Sequence, residues 1–197
     1  RVPKYFLIHK GYEHDWKRKM KSKKIKFPIV IKPINEGSSL GVYICKNDKQ
    51  FKINYNKLKK SYERVLVEEY IPGKEIQAAV MGKKALGAIE LVPKRKFYDY
   101  KAKYDKRANT KHILPVQLSK EKLKEVENIA LKAHKITGCK GITRSDFRYS
   151  NNKFYLLEVN TQPGLTELSL VPEIAKYKGI NFSNLIKWII NDASINR

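Results

Sequence analysis

Residues 2–9 (VPKYFLIH) alternate loosely between apolar and polar side chains and include aromatics, a pattern that predicts a strand. Residues 15–24 are rich in charge and predict an exposed helix. The apolar run 27–32 (FPIVIK) ends at Pro33 and suits a buried strand. Residues 35–41 (NEGSSLG) form a loop of small residues, and residues 42–45 predict another strand. A charged helix is expected over 55–64, then a strand over 65–71 (VLVEEYI) that Pro72-Gly73 stops. That Pro-Gly step is the expected boundary between two lobes, 1–72 and 73–197.

The second lobe opens with strand patterns at 75–81 and 85–91, joined by a tight Gly82-Lys83-Lys84 turn. An aromatic, polar loop is expected from Pro93 to His112. Across 120–136, Leu123, Val126, Ile129, Ala130, Ala133 and Ile136 recur at spacings of three and four, the stripe of an amphipathic helix. Ser119 is placed to cap its start and Gly138 to stop it. Residues 141–149 and 154–160 read as a hairpin across Asn151-Asn152. Closing helices are expected near 170–178, ended by Gly179, and 183–193, capped by Ser183. The fold class is α+β, antiparallel sheets covered by helices.

Composition narrows this picture only slightly. A chain of 197 residues, 42% of them aliphatic or aromatic, can build one large core or two small ones. No apolar run approaches the ~18–20 residues that span a bilayer, and no charged-then-apolar leader opens the sequence, so no membrane partner is expected. The sequence opens on Arg1 rather than Met, from which a start inside a longer reading frame, or trimming, is expected. Cys45 and Cys139 are too few for a disulfide framework or a zinc site; two buried, reduced thiols and a cytoplasmic location are expected. Lys and Arg outnumber Asp and Glu 42 to 19, a net charge of +23. A basic nucleic-acid-binding module is one reading of that charge. The lysines are spread along the whole chain rather than gathered in an arm, which favours a solvated basic surface.

Four groups of residues carry candidate chemistry. Lys32, at a strand end, precedes a Gly/Ser loop whose N–H groups and hydroxyls suit a polyphosphate, although a plain surface turn reads the same way and no GxxxxGK[ST] spacing is present. Glu68 and Glu69 sit inside an apolar strand, where successive side chains face opposite sides. One is expected to be exposed and the other to need a donor; a nucleotide would meet Glu68 at its base and Glu75 at its ribose, and an edge strand with exposed acids is the alternative.

Arg144 and Asp146 share one strand face, as do Glu158 and Asn160. Parity then decides the pairing. A three-residue loop, 151–153, sets Asp146 opposite Glu158 and Arg144 opposite Asn160, whereas a two-residue loop sets Asp146 opposite Leu157 and breaks the cluster. With the odd loop, two carboxylates and an amide oxygen converge as an oxygen set for Mg²⁺, and repulsion between the acids calls for a cation; an exposed polar hairpin face is the alternative. Gly164, in Thr161-Gln162-Pro163-Gly164-Leu165-Thr166, allows a close backbone approach, so its N–H can serve an oxyanion, or the segment is simply a turn.

The strings IKPINEGSSLGV, VLVEEYIPGKEI, FYDYKAKY, GCKGITRSDF and FYLLEVNTQPGLTELSLVPEIAKYKGINFSNLI, in this order, resemble the D-alanine–D-alanine ligases of the ATP-grasp superfamily. The resemblance implies an ATP-grasp fold and ATP-dependent ligation of two D-alanines through an acylphosphate, for peptidoglycan precursors. It implies ATP and two Mg²⁺ or Mn²⁺ ions as cofactors, a cytoplasmic homodimer, and an N-terminal ligase domain that this chain is expected to lack. By the same resemblance Lys32, Lys103 and Ser39 meet the phosphates. Glu68, Tyr70, Ile71 and Phe97 line the adenine pocket with Glu69 beside them, and Glu75 clamps the ribose. Asp146, Glu158 and Asn160 ligate the metals, while Arg144 and the Gly164 N–H hold the reacting carboxylate and the tetrahedral intermediate. Ser38 and Tyr104 pair near the substrate, and Ser169 with the Leu170 N–H holds the second D-alanine's carboxylate. A non-catalytic remnant of a split or decayed ligase gene is the alternative function.

Overall fold

The computed structural model describes residues 1–93 and 110–194. Phe97, Lys103 and Tyr104 lie outside the described residues. The described chain falls into two compact units. One holds residues 2–72, with 93 and 110; the other holds residues 1, 73–92 and 111–194.

The first unit is an antiparallel sheet in the order β1-β4-β2-β3, formed by β1 (Tyr5–His9), β2 (Ile29–Pro33), β3 (Tyr43–Cys45) and β4 (Arg64–Glu69). Helix α1 (Trp16–Ser22) follows a 3-10 turn at Glu13–Asp15, and α2 (Asp48–Leu58) follows β3. Period-two alternation sends Ile8, Ile29, Ile31, Val65 and Val67 inward, where they meet Trp16 and Met20 of α1 and Phe51, Tyr55 and Leu58 of α2. The Trp16 and Phe51 rings lie 4.3 Å apart, so α1 is docked by its aromatic face and is not the exposed helix expected from its charge.

Helix α2 corrects the expected helix over 55–64. It starts at Asp48, because Asn47 Oδ1 accepts the Gln50 N–H at 3.0 Å and closes the first turn. Arg64 already belongs to β4. The stripe Phe51, Tyr55, Leu58 has helical spacing, but lysine and asparagine between those positions hide it.

The second unit is a five-stranded antiparallel sheet in the order β7-β6-β5-β8-β9. Its strands are β5 (Lys74–Met81), β6 (Lys84–Val92), β7 (Lys111–Ile113), β8 (Ile142–Ser150) and β9 (Lys153–Asn160). β7 falls partly within the expected loop from Pro93 to His112, a strand too short for its pattern to register. Helix α3 (Lys120–Ile136) covers one sheet face, packing Val126 and Ala130 on Ile76, Ala78, Val80, Ala88 and Phe147. Ser119 Oγ caps it by accepting the Lys122 N–H at 3.3 Å.

Helix α4 (Leu170–Tyr177) lies against β6 on the other face. A Cβ on Gly87 would stand 3.2 Å from Lys178 Cε and 3.4 Å from Ile174 Cγ2, so the bare glycine lets α4 approach. Helix α5 (Phe182–Asp192) follows. Its cap is Asn181, whose Oδ1 accepts the Asn184 N–H at 2.8 Å, and not Ser183 as the sequence pattern predicts. Cys45 is buried, which pushes its thiol pKa up despite the Asn54 amide, whereas Cys139 is only partly buried, contrary to expectation. Among the described residues no helix is long and apolar enough to cross a membrane.

Candidate active site

In the first unit, Lys32 on β2 and Glu68 on β4 lie diagonally across the strand pair, since Lys32 is opposite Leu66 and Glu68 opposite Val30. Their side chains meet, Nζ to Oε2, at 2.7 Å with 23% and 10% exposure. Glu69 faces the other way, and its Oε1 accepts the Lys4 N–H at 2.8 Å. The donor demanded by the buried acid is therefore Lys32 itself, a pairing the sequence reading did not foresee. Tyr70 donates its N–H to Pro28 O at 3.3 Å, and Ile71 is buried.

The loop after β2 is held at both ends. Tyr62 Oη donates to Glu36 Oε1 at 3.0 Å, and a Cβ on Gly41 would stand 2.9 Å from Pro33 Cγ. Between them Ser38 and Ser39 adopt left-handed φ values of 52° and 62°. Two consecutive non-glycine residues there are strained, and such strain concentrates at ligand clamps.

In the second unit, β5 begins at a backbone crossing. Gly73 has φ +101°, and a Cβ there would fall 2.2 Å from Tyr149 O, so no other residue fits. Two residues on, Glu75 is opposite Arg148 on β8. Arg148 donates to Glu75 Oε2 at 3.3 Å and to Gly73 O at 2.6 Å. Period two in β8 puts Arg148 on the face of Arg144 and Asp146, a signal the sequence already contained.

The β8–β9 hairpin reaches the expected pairing by an unexpected route. The turn has two residues, Asn151 and Asn152, both left-handed at φ 48° and 59°, with Ser150 opposite Lys153. Phe147 is opposite Leu156, but Asp146 is opposite Glu158 and Arg144 opposite Asn160. A bulge at Leu157 supplies the extra residue that the turn does not. The three-residue loop is thus corrected to a two-residue turn plus a bulge, and the cluster survives.

Within that cluster Arg144 grips Asp146 through two bonds, Nε to Oδ1 at 2.7 Å and Nη2 to Oδ2 at 2.9 Å. The counter-charge on Asp146 is therefore the Arg144 guanidinium. Asn160 Nδ2 donates to Asp146 Oδ2 at 3.4 Å and to Glu158 Oε1 at 3.2 Å. Oxygens of two different carboxylates thus converge on one atom, which fits a cation site, and exchange of the Asn160 amide ends would add a third oxygen there. Among the described residues no three or more His, Cys, Asp or Glu side chains gather, so any ion here would take the rest of its shell from elsewhere.

Beyond β9, Ser169 Oγ accepts the Thr166 N–H at 3.0 Å and lies 2.9 Å from Thr166 Oγ1. It therefore makes no cap to α4, and the first N–H groups of that helix, Leu170 among them, receive no side-chain cap from it. A Cβ on Gly164 would stand 3.0 Å from Ser169 Oγ, so the glycine lets this turn close on Ser169.

Comparison with known proteins adds independent findings. The chain is 63% identical over 179 residues to a D-alanine--D-alanine ligase of Pelagibacter ubique, covering 91% of this chain and 58% of that protein. It is 51% identical over 173 residues to the ligase of the same name from Wolbachia pipientis wMel, covering 86% and 55%. It thus spans somewhat over half the length of these relatives. A crystal structure of D-alanine--D-alanine ligase from Bacillus anthracis superposes with TM-score 0.84 at 31% identity, over 97% of this chain and 61% of that one. VanG D-Ala:D-Ser ligase from Enterococcus faecalis gives 0.85 at 28% identity, over 96% and 56%. The family model described as D-ala D-ala ligase C-terminus matches residues 2–191, and the chain belongs to that family.

Proposed function

We propose that this chain supplies the ATP-binding and bond-forming part of a ligase that joins two D-alanines at the expense of ATP, for peptidoglycan precursors in the cytoplasm. The observation that carries this reading is the convergence of Asp146 and Glu158 oxygens beside Arg144 and Asn160 on one sheet face. A relative 63% identical, itself named D-alanine--D-alanine ligase, supports the substrate, and the Bacillus anthracis ligase complexed with ATP, at 26% identity and TM-score 0.80, supports the nucleotide.

In this reading Lys32, Ser39 and Lys103 neutralise the phosphates, Glu68, Glu69, Tyr70, Ile71 and Phe97 hold the adenine, and Glu75 takes the ribose hydroxyls. Asp146, Glu158 and Asn160 would hold Mg²⁺ or Mn²⁺, which when bound offset the charge on phosphoryl oxygens. Arg144 and the Gly164 N–H meet the negative charge that builds on the reacting carboxylate and then on the tetrahedral oxygen. The role of Ser38 and Tyr104 near the substrate rests on the family resemblance alone, since Tyr104 lies outside the described residues. Ser169 and the Leu170 N–H, at a helix N-terminus, hold the second carboxylate. In this reading the chain works with a further N-terminal ligase domain that finishes the first D-alanine's site, and, as is usual in the family, as a homodimer.

Calorimetric titration of this chain with Mg-ATP tests the proposal. Saturable binding is expected within the micromolar-to-millimolar range usual for enzyme substrates. Glu158→Gln, which removes one ligand charge at an exposed position, weakens it about tenfold or more. No detectable nucleotide binding at millimolar concentration would remove the reading.

A further inference from the structure

Gln77 is 1% exposed, at the middle of the central strand β5, and its Oε1 has no hydrogen-bond partner. It is opposite Asp146 on one side and Ile89 on the other. Directly paired residues of antiparallel strands share a sheet face, so Gln77 belongs to the face of Arg144, Asp146 and Arg148. The nearest guanidiniums are committed elsewhere, Arg144 to Asp146 and Arg148 to Glu75 and Gly73 O. A buried carbonyl oxygen without a donor is costly, and an apolar side chain would fill the same space without that cost.

The donor it awaits follows from the ligand set beside it. Two carboxylates and one amide leave a divalent cation short of protein ligands, so it keeps several waters. Each such water has protons to place, and Asp146, the nearest cross-strand neighbour of Gln77, is one of the oxygens facing the ion. We infer that Gln77 Oε1 accepts a hydrogen bond from the hydration shell of the cation held by Asp146, Glu158 and Asn160, and so sets metal affinity as a positioning residue. This rests on the function proposed above.

The test is Mn²⁺ uptake by the chain in the presence of a non-hydrolysable ATP analogue, read from the electron paramagnetic resonance signal of free Mn²⁺. Gln77→Met, close in shape but without an acceptor, is expected to bind Mn²⁺ about tenfold more weakly. Its affinity for the analogue in EDTA and its melting temperature stay at or above the parent's. Gln77→Glu keeps an oxygen at the same reach and restores or raises Mn²⁺ affinity. Parental Mn²⁺ affinity in Gln77→Met overturns the inference. If Gln77→Met melts early, Gln77→Asn, which withdraws the oxygen by one methylene, replaces it with the same expected loss and the same overturning result. If the parent chain itself takes up no Mn²⁺ with the analogue, the ligase reading fails first and the inference falls with it.

Discussion

His134 is buried on the inner face of α3, with Nδ1 2.8 Å from Thr143 Oγ1 on β8. Burial holds its pKa below the ordinary 6.5, and the charges of Lys140 and Lys135 push it the same way. A histidine with a depressed folded pKa takes up its proton more readily when unfolded, so below about 6.5 acid favours unfolding and stability rises with pH through that window. The urea midpoint of the chain is therefore expected to fall as pH drops from about 7 to about 5. His134→Gln, which keeps a polar partner for Thr143, should flatten that dependence. Curves for parent and variant that stay parallel over the window would show that His134 contributes no linkage. Thr143 precedes Arg144 on β8 and faces the opposite side, so this buried bond also fixes the strand that carries the site.

Helix caps give the sharpest prediction for the elements. Asn181→Ala is expected to cost about 1 kcal/mol in urea unfolding, because the Asn184 N–H loses its acceptor. Ser183→Ala, inside the first turn, should stay within about 0.5 kcal/mol. Equal losses would reverse the assignment of the cap. The same pair of residues shows where sequence reading stops. Asn and Ser are both good caps, and only two positions separate Asn181 from Ser183. Most elements were legible because an apolar pattern survives between clear turn residues, as in α3, β5, β6, β8 and β9. Helix α2 was misplaced because polar residues between Phe51, Tyr55 and Leu58 diluted its stripe. The site cluster was legible as to which residues meet, Asp146 with Glu158 and Arg144 with Asn160. The bulge at Leu157 was not, because nothing in that residue's identity marks a local two-against-one register. Nor were the internal ion pairs, since partners on neighbouring strands follow from register alone. Gln77 was missed although it lies two residues from Glu75 on the same face.

For the molecule as a whole, 42 basic against 19 acidic side chains leave a charge of +23. Self-repulsion of that size opposes the compact state, and salt screens it over about 10 Å at 0.1 M. The melting temperature is expected to rise by a few degrees between about 20 mM and about 300 mM NaCl. A flat or falling trend would mean that the lysines are already dispersed enough to ignore one another. Among the described residues most of this charge is exposed and tolerant of exchange, as at Lys120 and Lys124. Lys32, Arg144 and Arg148 are different, since each is mostly buried against an acid. Losing one member of such a pair strands the other, at a cost of about 3–5 kcal/mol, a large part of the roughly 5–15 kcal/mol that keeps a domain folded. Single substitutions at these positions are therefore close to dead ends. Replacing both partners together would remove the stranded charge but also the groups that Lys32, Glu68, Glu75, Arg144 and Asp146 bring to the proposed site, so these positions are held twice over, by folding and by chemistry, while the lysine-rich surface around them is free to change one residue at a time.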